Sequence, residues 1–337
     1  MPEELHESLL SWYDRHKRDL PWRTDPPDPY RVWVSEVMLQ QTTVAMATEK
    51  FLAWMTRFPT VQALAAAEEG EVLAYWQGLG YYSRARRLHA ASQITAEKGL
   101  PQDFAGWLAL PGLGRYSAGA VSSIGLGLPV PLVDGNVVRV VARFIGDDSP
   151  FAQAERDAWQ WAERNLNHQR PGDWNQALME LGATVCTPRN PSCLLCPWMT
   201  SCASAGKDPE SRPQPKPRKE QVQMQETLLI PVFEGKFGIR QIPAGQWWEG
   251  LLSFPRARGE GALEEIMREL KIGKAEEIGK LNHVVTHHKI SLAVFIGVLD
   301  SEPDGFTWLE FEDFDRLPYA LPAPHLKALK MAAKHFS

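Results

Sequence analysis

The sequence predicts a multidomain protein: an all-α domain over residues 1–204, a linker over 205–221 and a smaller α+β domain over 222–337. Three observations predict it. Apolar residues recur at helical spacing in 31–55, 60–77, 84–98, 117–127 and 152–168. The stretch AGKDPESRPQPKPRKE carries four prolines and almost nothing apolar, as an extended connector does. Beyond it, TLLIPVF, KFGIRQI and ISLAVFIGVL read as strands and ALEEIMREL as one short helix.

Turn chemistry separates the helical runs at Asp28-Pro29, Phe58-Pro59, Gly78-Leu79-Gly80, Pro111-Gly112 and Pro171-Gly172. The net charge of −5 gives no overall attraction to nucleic acid, so any such contact must come from a local patch or from backbone amides. There is no apolar leader and no apolar run of about 18 residues, so a soluble, cytoplasmic protein without membrane association is expected. A monomer is also expected.

Four cysteines, Cys186, Cys193, Cys196 and Cys202, are the only ones in the chain, spaced C-x6-C-x2-C-x5-C. A chain of 337 residues buries a large core without disulfide staples, and a reducing compartment disfavours disulfides. Structural zinc usually takes two C-x2-C pairs, and here there is one. Four thiolates equally hold a [4Fe–4S] cube. Spacing alone leaves iron–sulfur, zinc and disulfides open.

Upstream, Leu110-Pro111-Gly112-Leu113-Gly114-Arg115-Tyr116 opens onto the small-residue run Ser117-Ala118-Gly119-Ala120-Val121. Here one helix ends, Gly112 and Gly114 turn the backbone, and another helix begins. Such a turn lets amides approach a phosphate at a helix N-terminus, or it is simply a tight helix–helix connection.

PGLGRYSAGAV, then VDGNVVRV, then the cysteine run, resembles the helix-hairpin-helix DNA glycosylase superfamily with its iron–sulfur loop. PWR, VWVSEVMLQQT and GLGYYSRARRL resemble MutY-type adenine DNA glycosylases within it. The resemblance covers nearly the whole chain. It implies a [4Fe–4S] cluster on the four cysteines. It also implies a six-helix barrel module at about 27–130, an iron–sulfur module formed by 1–26 and 131–204, and a Nudix-like C-terminal domain.

Excising a base demands a proton for the leaving base and a negative charge near the oxocarbenium-like sugar, hence one protonated and one ionised carboxyl. Val32, Glu36, Leu39 and Thr43 share a face of a helix opening after Pro29, and partial burial there would keep Glu36 protonated. The resemblance implies that Glu36 is the general acid toward adenine N7. Asp134 stands ahead of a helical run, where N-capping and the helix dipole would lower its pKa. The resemblance implies that it stabilises the cationic sugar, that Asn136 orients the site and that Tyr116 contacts the aspartate. Bifunctional relatives carry a lysine at the Tyr116 position, so hydrolysis without strand cleavage is expected.

The target base must leave the stack. The resemblance implies that Gln41 and Tyr81 wedge beside the orphan base, and that Trp22 and Arg23 lie near the adenine pocket. Arg84, Arg86 and Arg87 form a basic cluster that could meet phosphates, as could Arg189 beside the cysteines.

In the second domain, QIPAGQWWEGLLSFPR and GALEEIMREL resemble the strand–loop–helix around a Nudix box. Arg268-Glu269 lacks the further paired glutamate, so no pyrophosphohydrolase activity is expected. The resemblance implies that the loop His283–His288 reads 8-oxoguanine. Val285-Thr286-His287 stands where the family usually shows F-S-H, so Thr286 keeps a hydroxyl and His287 the imidazole.

The expected function is therefore a monofunctional adenine DNA glycosylase of base excision repair, whose partner is double-stranded DNA with A:8-oxoguanine or A:G mispairs. The competing expectations are an endonuclease III-like or mismatch thymine glycosylase, a non-catalytic damage-binding protein and a nucleotide pyrophosphatase. Tyr116, the intact Glu36 and Asp134, and the broken box oppose them in turn.

Overall fold

The computed structural model describes residues 1–217, 220–243, 245–312 and 320–336. Residues 218 and 219 of the linker and Ala244 of the Nudix-like motif therefore lie outside the described residues. The chain divides into two compact units, Met1–Ala66 with Arg87–Pro217, and Ala67–Arg86 with the chain from 218 onward.

Helices α1 (Glu3–His16), α2 (Pro29–Leu39) and α3 (Val44–Arg57) come first. The expected run 31–55 is thus two helices. Gln41 takes a left-handed φ of 57°, which ends α2, and the Thr43 side chain caps α3 by accepting from the Met46 amide. Thr43 consequently leaves the face it was expected to share with Glu36. Asp28 caps α2 by accepting from the Tyr30 and Arg31 amides, with Pro29 at the first helical position.

The expected run 60–77 becomes α4 (Val61–Ala65) and α5 (Glu69–Tyr75), and α6 spans Ser83–Lys98. The hairpin is α7 (Phe104–Leu108), a turn, and α8 (Arg115–Ala120), which continues as a π-helical turn over Val121–Gly125. Then follow α9 (Gly135–Ile145), α10 (Phe151–Arg164) and α11 (Pro171–Thr184). Pro171-Gly172 does not separate helices, as its turn chemistry predicts; Pro171 opens α11, where its missing N–H costs nothing. The cysteine run follows in short 3-10 turns. One core cluster joins Leu9, Trp12 and Tyr13 of α1 to valines of α9 and to Trp174, Leu178 and Trp198, and Cys186 and Cys196 pack on its rim.

The second unit carries a seven-stranded mixed sheet: β1 (Val222–Phe233), β2 (Lys236–Gln241), β3 (Leu252–Ser253), β4 (Arg256–Arg258), then α12 (Ala262–Leu270), β5 (Ala275–Val285), β6 (His288–Val298) and β7 (Thr307–Glu310), with α13 (Ala323–Phe336) last. The order is β3-β2-β1-β6-β5; β1 and β6 run parallel, β4 pairs with β1 and β7 with β2. Alternation along β1 explains the layering. Leu228, Ile230 and Val232 face Ala328 and Leu329 of α13, while Leu229 faces Ile266 and Leu270 of α12. A helix on each face of a mixed sheet is the α+β architecture expected, with α13 added to the one helix expected.

Candidate active site and nucleic-acid interface

A cavity of about 410 Å³ opens in the first unit, a volume suited to a small-molecule-sized group. Trp22, Arg23, Val32, Glu36, Leu39, Gln41, Tyr116, Asp134, Asn136 and Glu180 are among its lining residues. Six residues singled out from the sequence for the site, and Gln41 with them, thus meet in one place from three helices and three loops.

Glu36 is 6% exposed. Burial raises its pKa from 4.5 to about 7, helped by the Asp134 charge and opposed by the Tyr116 hydrogen bond and Arg23. The Tyr116 hydroxyl donates to Glu36 Oε2 at 2.6 Å, with Met179 Sδ at 3.4 Å. The Tyr116 hydroxyl thus bonds the other carboxyl, while Tyr116 and Asp134 line the same cavity and interact electrostatically.

Asp134 caps α9 as expected: Oδ1 accepts from the Val137 amide at 2.8 Å and Oδ2 from Asn136 Nδ2 at 2.7 Å. Its pKa is raised, not lowered. Desolvation outweighs the hydrogen bonds from Val137 and Asn136, which pull the other way. Helix-end logic read from sequence omits that desolvation. The order of the two carboxyls survives, because the Asp134 charge is one of the influences holding the proton on Glu36.

Gly182 on α11 makes this packing feasible: a Cβ there would lie 2.7 Å from Asn136 Cβ and 3.2 Å from its Cα. Asn136 in turn accepts from Arg139, which also donates to the Gly182 and Cys186 carbonyls.

A third carboxylate was not found from sequence. Glu180, 1% exposed, accepts from Arg18 and Arg23. Burial pushes its pKa up, but these guanidinium hydrogen bonds outweigh it and hold the group below the usual carboxylate range. A lone glutamate in the apolar run QALMELGATV was the available signal. Arg23 also donates to Gln176 and to the Arg18 carbonyl, so its guanidinium is fixed in the cavity wall. Trp22 is buried edge-on against Phe51.

The four cysteines are unpaired and half-buried, and they ring one small cavity with Arg143. Among the described residues, no three His, Cys, Asp or Glu side chains close tightly enough to hold a single metal ion. Four thiols lining one cavity are a donor set of the soft kind that a metal centre takes. Arg143, 2% exposed, donates to the Thr187 and Pro188 carbonyls and to Cys186 Sγ. Arg139 and Arg143, four residues apart among valines, were the missed signal for this support.

Gly112 takes a φ of 83° at the hairpin turn, and Gly114 caps α8 without a side chain, with open space where its Cβ would be. Tyr81 is 46% exposed at a φ of 47°. Thr286, exposed at a φ of 54°, forms the β5–β6 turn with His287; its hydroxyl lies 3.3 Å from His287 Nδ1. Gln41, Tyr81 and Thr286 thus each hold a left-handed backbone, a strain that clusters at functional tips.

The arginine cluster divides. Arg84 is buried, donates to the Leu79 and Gly80 carbonyls and stacks against Trp76 and Tyr81. Arg86 pairs with Glu69 and donates to the Glu249 carbonyl. Both guanidinium groups are thus already engaged, Arg84 by burial and carbonyls and Arg86 by Glu69 and the Glu249 carbonyl, against the phosphate contact expected of them. Arg87 is exposed.

Residues 34–164 match the family of HhH-GPD superfamily base excision DNA repair proteins, and residues 227–331 match the NUDIX domain family. An adenine DNA glycosylase of Buchnera aphidicola subsp. Schizaphis graminum is 30% identical over 340 residues, covering 96% of this chain and 97% of that protein. An adenine DNA glycosylase of Homo sapiens is 40% identical over 276 residues, covering 74% of this chain. The chain spans about half the length of that human relative, 48%. Among solved structures, a thermostable thymine-DNA glycosylase superposes with a TM-score of 0.55 at 24% identity, over 61% of this chain and 98% of that one. A trapped endonuclease III–DNA covalent intermediate gives 0.50 at 22%, over 61% and 99%. These two likenesses concern the fold alone. No described helix is long and apolar enough to cross a membrane.

Proposed function

The chain belongs to the adenine DNA glycosylase family, and from that premise we propose that it hydrolyses the N-glycosidic bond of adenine mispaired with 8-oxoguanine or guanine in duplex DNA. The carrying observation is the cavity in which a buried, proton-holding Glu36 faces a capped Asp134. In this reading residues 1–204 excise the base, 205–221 connect, and 222–337 read the opposite lesion.

Adenine swings out of the stack into the cavity. Trp22 and the fixed Arg23 shape its walls, and ionised Glu180 offers an acceptor for an exocyclic amine. Glu36 gives its proton to N7 as the C1′–N9 bond breaks and its electron pair passes to the base. The Asp134 carboxylate, oriented by Asn136 and the Val137 amide, stabilises the cationic sugar. Water then adds to C1′, and its proton restores the acid. Tyr116 holds Glu36 in place and has no amine to form a Schiff base, so the strand stays intact.

Cys186, Cys193, Cys196 and Cys202 would hold a [4Fe–4S] cluster, whose contribution when bound is to fix the loop beside α9. Hairpin amides beside Gly112 and Gly114 position the phosphate backbone, Gln41 and Tyr81 fill the gap left by the base, and Thr286 and His287 meet the 8-oxoguanine. In the second domain Glu269 is tied to Arg240, which supports a recognition role over metal-assisted hydrolysis.

Labelled duplexes holding A:8-oxoguanine, T:G or an oxidised pyrimidine, with and without later alkali, test the reading. Strand breaks only after alkali, and only at adenine, are expected. Breaks without alkali or at thymine overturn it.

A further inference from the structure

We propose that Arg87 is a side-chain phosphate ligand of the helical hairpin, gripping the backbone of bound duplex beside Gly112. This rests on the reading of the chain as a DNA glycosylase. Three arginines stand within four positions on α6, and their surroundings differ sharply. Arg84 is enclosed, with its guanidinium spent on the Leu79 and Gly80 carbonyls. Arg86 is spent on Glu69 and the Glu249 carbonyl. The Arg87 side chain makes no hydrogen bond or ion pair among the described residues, yet it is not loose. A Cβ built on Gly112 would fall 2.7 Å from Arg87 Cβ, 3.2 Å from its Cδ and 3.5 Å from its Cγ. The aliphatic stem therefore lies flat across the glycine, leaving the guanidinium at the edge of the turn.

Two features fit a phosphate there. A side chain at the turn's left-handed glycine would collide with the arginine stem, and glycine avoids it. The other basic side chain of the hairpin, Arg115, is turned away into an ion pair with Glu163 and lies 3.8 Å over the Trp159 ring. Gly112 would thus be required twice, for its φ and for the groove that seats Arg87. A pinned stem also lowers the rotamer entropy lost on binding, which is what separates a positioned phosphate ligand from an ordinary solvated arginine.

The test is the salt dependence of binding to a duplex with a non-cleavable abasic analogue opposite 8-oxoguanine, read by fluorescence anisotropy. Each phosphate contact adds about 0.9 to the slope of log affinity against log salt. Arg87→Gln should lower the slope by about one, so that between 50 and 200 mM salt the wild-type protein loses about 3.5-fold more affinity than the variant. Arg87→Lys should keep the slope, and Arg86→Gln should leave it unchanged. A wild-type slope in Arg87→Gln, with far-UV circular dichroism intact, overturns the assignment of Arg87 alone. A wild-type chain that binds without salt dependence overturns it together with the DNA reading.

Discussion

Tyr116 donates its hydroxyl to Glu36 Oε2 at 2.6 Å, and this bond favours the charged form of the carboxyl while the surroundings favour the neutral one. Burial wins and lifts Glu36 to about 7. Excision that needs protonated Glu36 should fall about tenfold per pH unit well above 7. Tyr116→Phe removes the opposing bond, so its falling limb should move to higher pH. Single-turnover rates from pH 5 to 9 check both; a limb that moves to lower pH contradicts the assignment of the bond.

The same shift has a stability consequence. Because the folded pKa lies above the ordinary 4.5, the stabilisation linked to neutral Glu36 is fully present below 4.5 and is lost as pH rises to about 7. Glu36→Gln has no such titration. Its stability relative to wild type should grow by on the order of 2–3 kcal/mol between pH 4.5 and 8, measured by urea unfolding at each pH. A difference independent of pH places the titration elsewhere.

Gly182→Ala should act on Asp134 without touching it. The added Cβ meets Asn136 at 2.7 Å, so α9 must shift or the core must strain, at a cost of about 1–3 kcal/mol. Thermal unfolding should show that loss. The single-turnover rate should fall at every pH, because the displaced group is the cap and not the acid.

Arg143→Met should loosen the cysteine loop. It leaves the Thr187, Pro188 and Arg212 carbonyls without their buried donor, at about 1–3 kcal/mol each. A lowered melting temperature and less than the wild-type iron per chain are expected. Unchanged iron and melting temperature contradict the role given to Arg143.

Glu36, Asp134, Tyr116 and the cysteines were singled out in the sequence because each sits in a contiguous motif that carries the family resemblance, whereas local chemistry alone left their roles open. Glu180 was not: it reaches the cavity from α11 and matters only through the Arg18 and Arg23 pairings made across the fold. Periodicity merged α2 and α3 because it does not register the left-handed Gln41 between them. The direction of the Asp134 shift was misread since capping is local and desolvation is not. Arg84, Arg86 and Arg87 look alike in a string, and only the helix face separates them. In the second unit, α13 and β5 were missed because LKALKMAA and EEIGKLNHVV are weakly patterned, and both take their places by packing on the sheet.

Release of free adenine from an A:8-oxoguanine duplex under single-turnover conditions, wild type beside Glu36→Gln, tests the central claim most directly. The account predicts one adenine released per wild-type active site at pH 6.5, a rate about 10²–10⁴-fold lower for the variant, and undiminished duplex binding by both. Equal rates in the two proteins, or no adenine released by the wild type, would contradict it.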